Sequence, residues 1–178
     1  PWPKMTYGIS LNVGWQGFDI SALIQGVQGV DTYNGSKYYT QYFVGDYNTT
    51  GDIFNTSFFN GGGLTESPRV GFRDDSGNYV RDPNANYTRI SSYYVEDGSY
   101  LKLRNLQIGY STPNGLNSRL GISNLRIYLQ GQNLVTLTGY TGLDPEVLGR
   151  NGTTARGIDT IYSYPRTRMF SVGLDVSF

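Results

Sequence analysis

Met169-Phe-Ser-Val-Gly-Leu-Asp-Val-Ser-Phe178 ends the chain and decides how the rest of it reads. Successive side chains of an extended strand point to opposite faces, so Phe170, Val172, Leu174, Val176 and Phe178 share one side. Met169, Ser171, Gly173, Asp175 and Ser177 share the other. Chain termini usually fray and are polar. Here an apolar ribbon runs to the last residue, which carries both an aromatic ring and the free carboxylate.

The same alternation recurs upstream. Met5, Tyr7, Ile9, Leu11, Val13 and Trp15 oppose Thr6, Gly8, Ser10, Asn12 and Gly14. After Gln16-Gly17 the parity switches to Phe18, Ile20, Ala22 and Ile24. A two-residue hairpin loop sets Trp15 across from Phe18, Val13 from Ile20 and Leu11 from Ala22, so one register puts every apolar residue on one face. Only Leu23 and Val27 break the pattern. Between Tyr100 and Tyr110, Leu101 and Leu103 lie on one parity and Leu106, Ile108 and Tyr110 on the other, which calls for a bulge near Arg104-Asn105. From Asn124 onward, Leu125, Ile127 and Leu129 oppose Arg126, Tyr128, Gln130 and Gln132. Strands are therefore predicted over about 5–15, 18–27, 99–111, 123–135 and 165–178. Alternation lapses over about 28–97 and 138–163, where small and polar residues and Tyr dominate. Pro113-Asn-Gly115 marks a turn, with room for one helical turn at Leu116–Leu120.

Composition narrows the chemistry. Fourteen basic residues balance 14 acidic ones, so no net field recruits nucleic acid. Without Cys there is no disulfide framework and no thiolate metal site. Without His, triad hydrolysis and the usual zinc sites have no basis in this chain. No cofactor, metal or enzymatic activity is expected. No apolar run is long enough for a transmembrane helix, but barrel strands alternate and carry a much weaker hydropathy signal. Pro1-Trp-Pro-Lys4 does not resemble a signal peptide and reads like the interior of a longer polypeptide.

The spacing fits a transmembrane barrel wall. Ten residues at about 3.4 Å each, tilted about 45°, rise about 24 Å, which matches an apolar band roughly 25 Å tall. Connections alternate short, long, short, long, as periplasmic turns and extracellular loops do, so the C-terminus is expected in the periplasm. Trp15 and Phe18 would then join an aromatic girdle at the short-turn rim. An apolar strand ending in Phe resembles the signal read by the barrel-assembly machinery, carried here by Phe170, Val172, Leu174, Val176 and Phe178. Five strands cannot close, and each unpaired backbone group in lipid costs several kcal/mol. Residues 1–178 are therefore expected to be the C-terminal part of a larger all-β barrel of antiparallel strands. The rival reading is a soluble, carbohydrate-binding β-sandwich; its strands are typically five or six residues, shorter than these. A second rival, an outer-membrane hydrolase, is weakened by the lack of His.

Four stretches resemble the C-terminal region of the SusC/RagA-like TonB-dependent transporters of the Bacteroidota. They are the first hairpin with Gly17-Phe-Asp-Ile-Ser21 and Gln25-Gly-Val-Gln-Gly29; Tyr94-Val-Glu-Asp-Gly-Ser-Tyr-Leu-Lys-Leu-Arg-Asn-Leu-Gln-Ile-Gly-Tyr110; Gly131-Gln-Asn-Leu134 with Asp144-Pro-Glu146; and Gly157-Ile-Asp159, Tyr164-Pro165 and Arg168 with the terminal strand. The resemblance implies a barrel of about 22 strands with a plugged lumen, of which these would be the last five. It implies import of oligosaccharides or oligopeptides across the outer membrane, driven by TonB through an N-terminal part not present here. It also implies a SusD-like surface lipoprotein as partner, besides the plug, the remainder of the barrel and outer-membrane lipid.

Two sets of residues are candidates for solute or lid contact. Tyr38, Tyr39, Tyr42 and Phe43, with Tyr33, Phe58 and Phe59 in the same long loop, offer aromatic faces for sugar rings or peptide side chains. The competing reading is that these rings pack the loop on itself. Arg104, Arg126, Gln130 and Gln132 are placed to line a solute path, or simply to face a lumen and its plug. Asp144-Pro-Glu146 and Asp74-Asp75 read as turns.

Overall fold

The computed structural model describes residues 2–42, 49–51, 53, 67, 71–81, 85–146, 156–160 and 164–178, with backbone only at 71–73, 79, 81 and 120. The candidates Phe43, Phe58 and Phe59 lie outside the described residues. In chain order the strands are β1 (Met5–Trp15), β2 (Phe18–Gln28), β3 (Asp31–Asn34), β4 (Gly71–Arg73), β5 (Tyr79–Arg81), β6 (Val95–Asp97), β7 (Tyr100–Ser111), β8 (Asn124–Thr138), β9 (Ile158–Asp159) and β10 (Met169–Ser177). Helical segments among the described residues include α1 (Lys37–Thr40), α2 (Asn114–Leu120) and the single 3-10 turns Asn86–Thr88 and Ser92–Tyr94. The chain divides into two compact units.

The first unit, Trp2–Val30, Gly98–Tyr140 and Pro165–Phe178, is a wall. Its sheet is antiparallel in the order β1-β2-β7-β8-β10. The hairpin β1–β2 turns at Gln16-Gly17, where both residues have positive φ (47° and 88°), the signature of a tight turn whose twist matches the strands. Its register is Trp15↔Phe18, Val13↔Ile20 and Leu11↔Ala22. Across all five strands the apolar residues then fall into rows: Val13, Ile20, Ile108, Leu129 and Val172 form one, and Trp15, Phe18, Tyr110, Ile127 and Leu174 the next. Between β2 and β7 the register shifts at Leu23/Ile24, where Arg104 is the extra residue without a register partner, and between β7 and β8 it shifts between Leu103 and Asn105. That bulge reconciles the two parities of β7, because the extra residue Arg104 carries the apolar set back onto the shared face.

What this unit lacks is an apolar interior. Val13, Trp15, Leu129, Phe170 and Val172 keep between 58% and 76% of their surface, and Phe178 keeps 93%. A water-soluble sandwich would bury such rows against a second sheet; here they form a bare face far more apolar than a soluble surface tolerates. Strands β1 and β10 are the edges of the sheet, each with one unpaired side in this strand order.

Glycines on the wall serve neighbouring rings and ions. A Cβ on Gly26 would lie 2.1 Å from Cζ of Tyr7, and one on Gly173 would lie 2.1 Å from Cζ of Tyr128. Each tyrosine therefore lies flat over a glycine on the next strand. The short connection after β7 holds α2, two turns ended by Gly121 in the left-handed region (φ 70°) and pinned by Asn117 Nδ2 donating to the Thr112 carbonyl at 3.2 Å.

The second unit comprises 31–97 and 141–164. The sequence predicts loops over about 28–97 and 138–163. Instead, β3 is the centre of a three-stranded sheet in the order β6-β3-β9, and β4 pairs with β5. Strands of two to four residues are too short for a period-two pattern to register in the sequence. On the wall, β10 begins at Met169 rather than near 165, and β8 runs on to Thr138 rather than stopping near 135.

Gly173→Ala should lower the stability of the folded barrel by about 1–3 kcal/mol, because the Tyr128 ring must leave its place. Gly115→Ala, with nothing within 4 Å of its Cβ and a helical position, should be neutral or stabilising by up to about 1 kcal/mol. Urea unfolding of the intact protein in lipid vesicles checks both; equal losses would contradict the packing role.

Candidate functional site

The polar face of the wall carries all four of the polar candidates. Arg126, Gln130 and Gln132 alternate along β8, and Arg104 sits at the β7 bulge. Arg126 is the hub. Its Nε donates to Asp19 Oδ1 at 2.9 Å and its Nη2 to Asp19 Oδ2 at 2.7 Å, a bidentate pair with a residue two strands away. Nη1 donates to Asp175 Oδ2 on β10 at 3.2 Å, and the guanidinium lies 4.9 Å from the Tyr128 ring centroid. The reach across β7 is possible because Gly109 stands between: a Cβ there would fall 2.5 Å from Asp19 Oδ1 and 2.6 Å from Arg126 Nη2. One cation thus ties β2, β8 and β10 together through the gap that Gly109 leaves. Planar, two-pronged donation is what arginine offers and lysine does not.

Arg104 donates from Nε to Gln25 Oε1 at 2.6 Å and from Nη1 to Asn133 Oδ1 at 3.4 Å. Asn133 has a positive φ of 52° and donates to the Thr167 carbonyl at 3.2 Å. Gln130 Nε2 donates to Asn105 Oδ1 at 2.9 Å, and Gln132 pairs in register with Asn105 and Met169. This face is a lattice of cross-strand hydrogen bonds as well as a polar lining.

The aromatic candidates occupy the second unit. Tyr42 and Tyr94 are buried, and rings of Tyr87, Tyr93 and Tyr94 lie 6.1, 6.2 and 6.4 Å from Tyr42. Tyr33 stacks on Tyr94 at 5.1 Å, while Tyr38 meets Tyr39 at 4.8 Å and Tyr87 at 5.6 Å. Tyr42 is therefore part of an aromatic core, whereas Tyr38 and Tyr39 stay half-buried at its margin. The hydroxyls are placed as well: Tyr94 donates to the Tyr87 carbonyl at 3.0 Å, and Tyr93 donates to Gln41. Burial raises the Tyr93 phenol further above its usual range, and a neighbouring Glu96 adds to that against the opposing Ser67 hydrogen bond.

Sequence reasoning missed the polar centre of this unit. Lys37 Nζ lies 2.7 Å from Glu96 Oε1, donates to the Tyr93 carbonyl at 2.9 Å and sits 4.6 Å over the Tyr93 ring. Glu96 also accepts from Asn34 Nδ2 at 3.0 Å, from the Thr141 amide at 2.8 Å and from the Thr141 hydroxyl at 2.7 Å. One carboxylate thereby gathers three separate stretches of chain. Nothing in the spacing of residues 34, 37, 96 and 141 announces that meeting. By contrast, the strand registers alone would have placed Asp19 diagonally across Gly109 from Arg126.

Burial disfavours the charge on Glu96, but the hydrogen bonds from Lys37, Thr141 and Asn34 outweigh it and hold its pKa below the ordinary value. A depressed carboxylate stabilises fully above the unfolded value of about 4.3 and stops doing so as pH falls through its own lower pKa. Exchange of the Thr141 amide should accordingly be flat above about pH 5 once intrinsic rates are removed, and protection should fall below about pH 4. Glu96→Gln should cost about 2 kcal/mol, roughly a thirty-fold loss of protection, and abolish that acid dependence. Identical pH profiles in the two proteins would contradict it.

No family model matches the sequence. Relatives do. The TonB-dependent receptor P3 of Formosa agariphila is 33% identical over 184 residues, covering 100% of this chain and 17% of the receptor. The TonB-dependent receptor SusC of Bacteroides thetaiotaomicron is 34% identical over 91 residues, covering 50% of this chain and 8% of SusC. Among solved structures, the RagAB peptide importer in its "open-open" and "closed-closed" states superposes with a TM-score of 0.72 at 25% identity, over 99% of this chain and 17% of the matched chain. The chain thus spans about a sixth of the relatives it matches from end to end. Along its own whole length, with its bare apolar face, polar face and antiparallel registers, it belongs to the SusC/RagA-like TonB-dependent receptors.

Proposed function

We propose that this chain supplies the last five strands of a large outer-membrane barrel, of about 22 strands, that imports oligosaccharides or oligopeptides. The observation that carries the reading is the wall's apolar face, continuous over five strands and open to its surroundings along every row. Hydrocarbon is the solvent that favours such a face, and a sheet immersed in it must pair its edges. On this reading β1 and β10 pair with strands of the same polypeptide lying outside residues 1–178. The polar face looks into a lumen occupied by an N-terminal plug, whose TonB contact supplies the energy. Similarity to TonB-dependent receptors, SusC and the RagAB importer supports the outer-membrane location and import. It supports a SusD-like lipoprotein partner as well.

In this arrangement the C-terminus is periplasmic, α2 lies in a periplasmic turn and residues 28–97 and 138–163 are extracellular. Phe170, Val172, Leu174, Val176 and Phe178 form the recognition strand for barrel assembly. Tyr38 and Tyr39, at the margin of the aromatic core, contact solute or lid, with Tyr42 supporting them from within that core; Phe43, outside the described residues, is a further candidate for the same contact. Arg104, Arg126, Gln130 and Gln132 line the path. Arg126 acts there mainly by holding β2, β8 and β10 in register, since both sides of its guanidinium are engaged. The reaction class is transport, not catalysis. No carbohydrate-binding sandwich is needed to explain the chain, because the rows that such a fold would bury are bare.

The loop's role is separable from the wall's. Gly98 N donates to the Val30 carbonyl at 2.8 Å, so the two ends of the 31–97 stretch lie side by side. Replacing residues 31–97 in the intact receptor by a short Gly-Ser linker should leave outer-membrane insertion at normal levels while abolishing growth on the imported solute. Unchanged uptake would refute the loop's part in transport, and loss of insertion would refute its separability.

A further inference from the structure

We infer that the loop unit binds a calcium ion between β3 and β9, held by Asn34 Oδ1, Ser36 Oγ and the Asp159 carboxylate. The inference rests on this unit alone and stands whether or not the receptor is an importer.

Three observations converge on the place. Asn34 is only 2% exposed, and its amide nitrogen donates to Glu96 Oε1 and to Thr141 Oγ1. A carboxylate can only accept, so the identity of the two amide ends is fixed. Strand β3 lies between β6, which carries Glu96, and β9. Its nitrogen is committed to Glu96 and Thr141, which leaves its oxygen for another partner, and Asp159 on β9 is its register partner. That oxygen makes no hydrogen bond. Ser36, two residues on and 8% exposed, has an equally unpartnered hydroxyl. Asp159 is 1% exposed.

The backbone presses these groups together. Gly35 N donates to the Asp159 carbonyl at 2.9 Å, and a Cβ on Gly35 would lie 2.5 Å from that oxygen. Only glycine lets the chain on either side of it, Asn34 and Ser36, come this close to β9. The Lys37 ammonium is engaged on the other side, by Glu96 and the Tyr93 carbonyl.

Each buried oxygen left without a partner costs about 1–3 kcal/mol, so two of them beside a buried carboxylate call for an occupant. An amide oxygen, a hydroxyl and a carboxylate are hard donors that suit calcium, which accepts irregular oxygen shells, better than zinc or copper, which favour nitrogen and sulfur. A buried water is the competing occupant. A single carboxylate keeps the charge count low, which places the affinity at about 10⁻⁴–10⁻³ M, the range of extracellular calcium modules.

The intact receptor, stripped with chelator in detergent, would be titrated with terbium while tyrosine is excited, and calcium then added as competitor. The expected result is saturable terbium emission, displaced by calcium, with affinity weakened about tenfold or more in Asp159→Asn and about threefold or more in Ser36→Ala. Emission that does not saturate, or affinities unchanged in both variants, would overturn the site and leave water as the occupant. Should Asp159→Asn fail to fold, Ser36→Ala, which removes one hydroxyl, decides alone.

Discussion

Backbone hydrogen bonding within a sheet that has no buried apolar side is the constraint on which the rest of this structure depends. In a soluble sheet, strand pairing and core packing reinforce each other, and a register error is punished by loss of the core. Here the rows from Val13 to Val172 and from Trp15 to Leu174 face outward. Cohesion among the five strands must therefore come from the ladder itself and from the polar face. That explains why the polar face is so densely bonded. Arg126 spans β2 to β10 through the space left by Gly109, Arg104 braces the bulge against Gln25 and Asn133, and Gln130 meets Asn105. A one-residue slip would both turn polar groups onto the apolar side and dismantle these bonds.

The loop unit reverses the usual arrangement. Its small sheet turns Thr32, Asn34 and Asp159 inward, while Val95 and Ile158, which flank Tyr33 in register, remain exposed. Its apolar cohesion comes from tyrosines, whose rings supply area and whose hydroxyls find partners. The Glu96 cluster then plays the part that a hydrophobic core plays elsewhere, by drawing chain segments around residues 34, 37, 96 and 141 to one point. Such a centre needs every member satisfied, because a buried polar group left alone is costly. Among the described residues, Asn34 Oδ1 and Ser36 Oγ, together with the Thr49 and Thr160 hydroxyls, are buried without a partner and stand out for that reason.

How legible all this is in the sequence depends on the length over which a pattern can repeat. The β1–β2 hairpin could be read to the residue, since eleven alternating positions and a two-residue turn leave one register. The β7 bulge was readable from its change of parity alone. β10 is shorter than the sequence predicts: Pro165-Arg-Thr-Arg168 carry no apolar alternation, and the ladder begins only at Met169 opposite Gln132. The short strands of the loop unit carry no periodicity, and their contacts join residues tens of positions apart. On the polar face, Arg126 was visible as a residue type but its bond to Asp19 was not. That bond depends on an absence, the missing side chain of Gly109, which means nothing until the strands are aligned.

The central claim is that one side of the wall meets lipid and the other an enclosed aqueous space. Nitroxide labels placed singly at Leu11, Asn12, Val13, Leu129, Gln130 and Gly131 of the intact receptor in lipid vesicles test it directly. Collision with oxygen should dominate at Leu11, Val13, Leu129 and Gly131, and collision with a water-soluble nickel chelate at Asn12 and Gln130. Labels at Leu11, Val13 and Leu129 that are shielded from both reagents, or more accessible to nickel than their neighbours, would contradict the account.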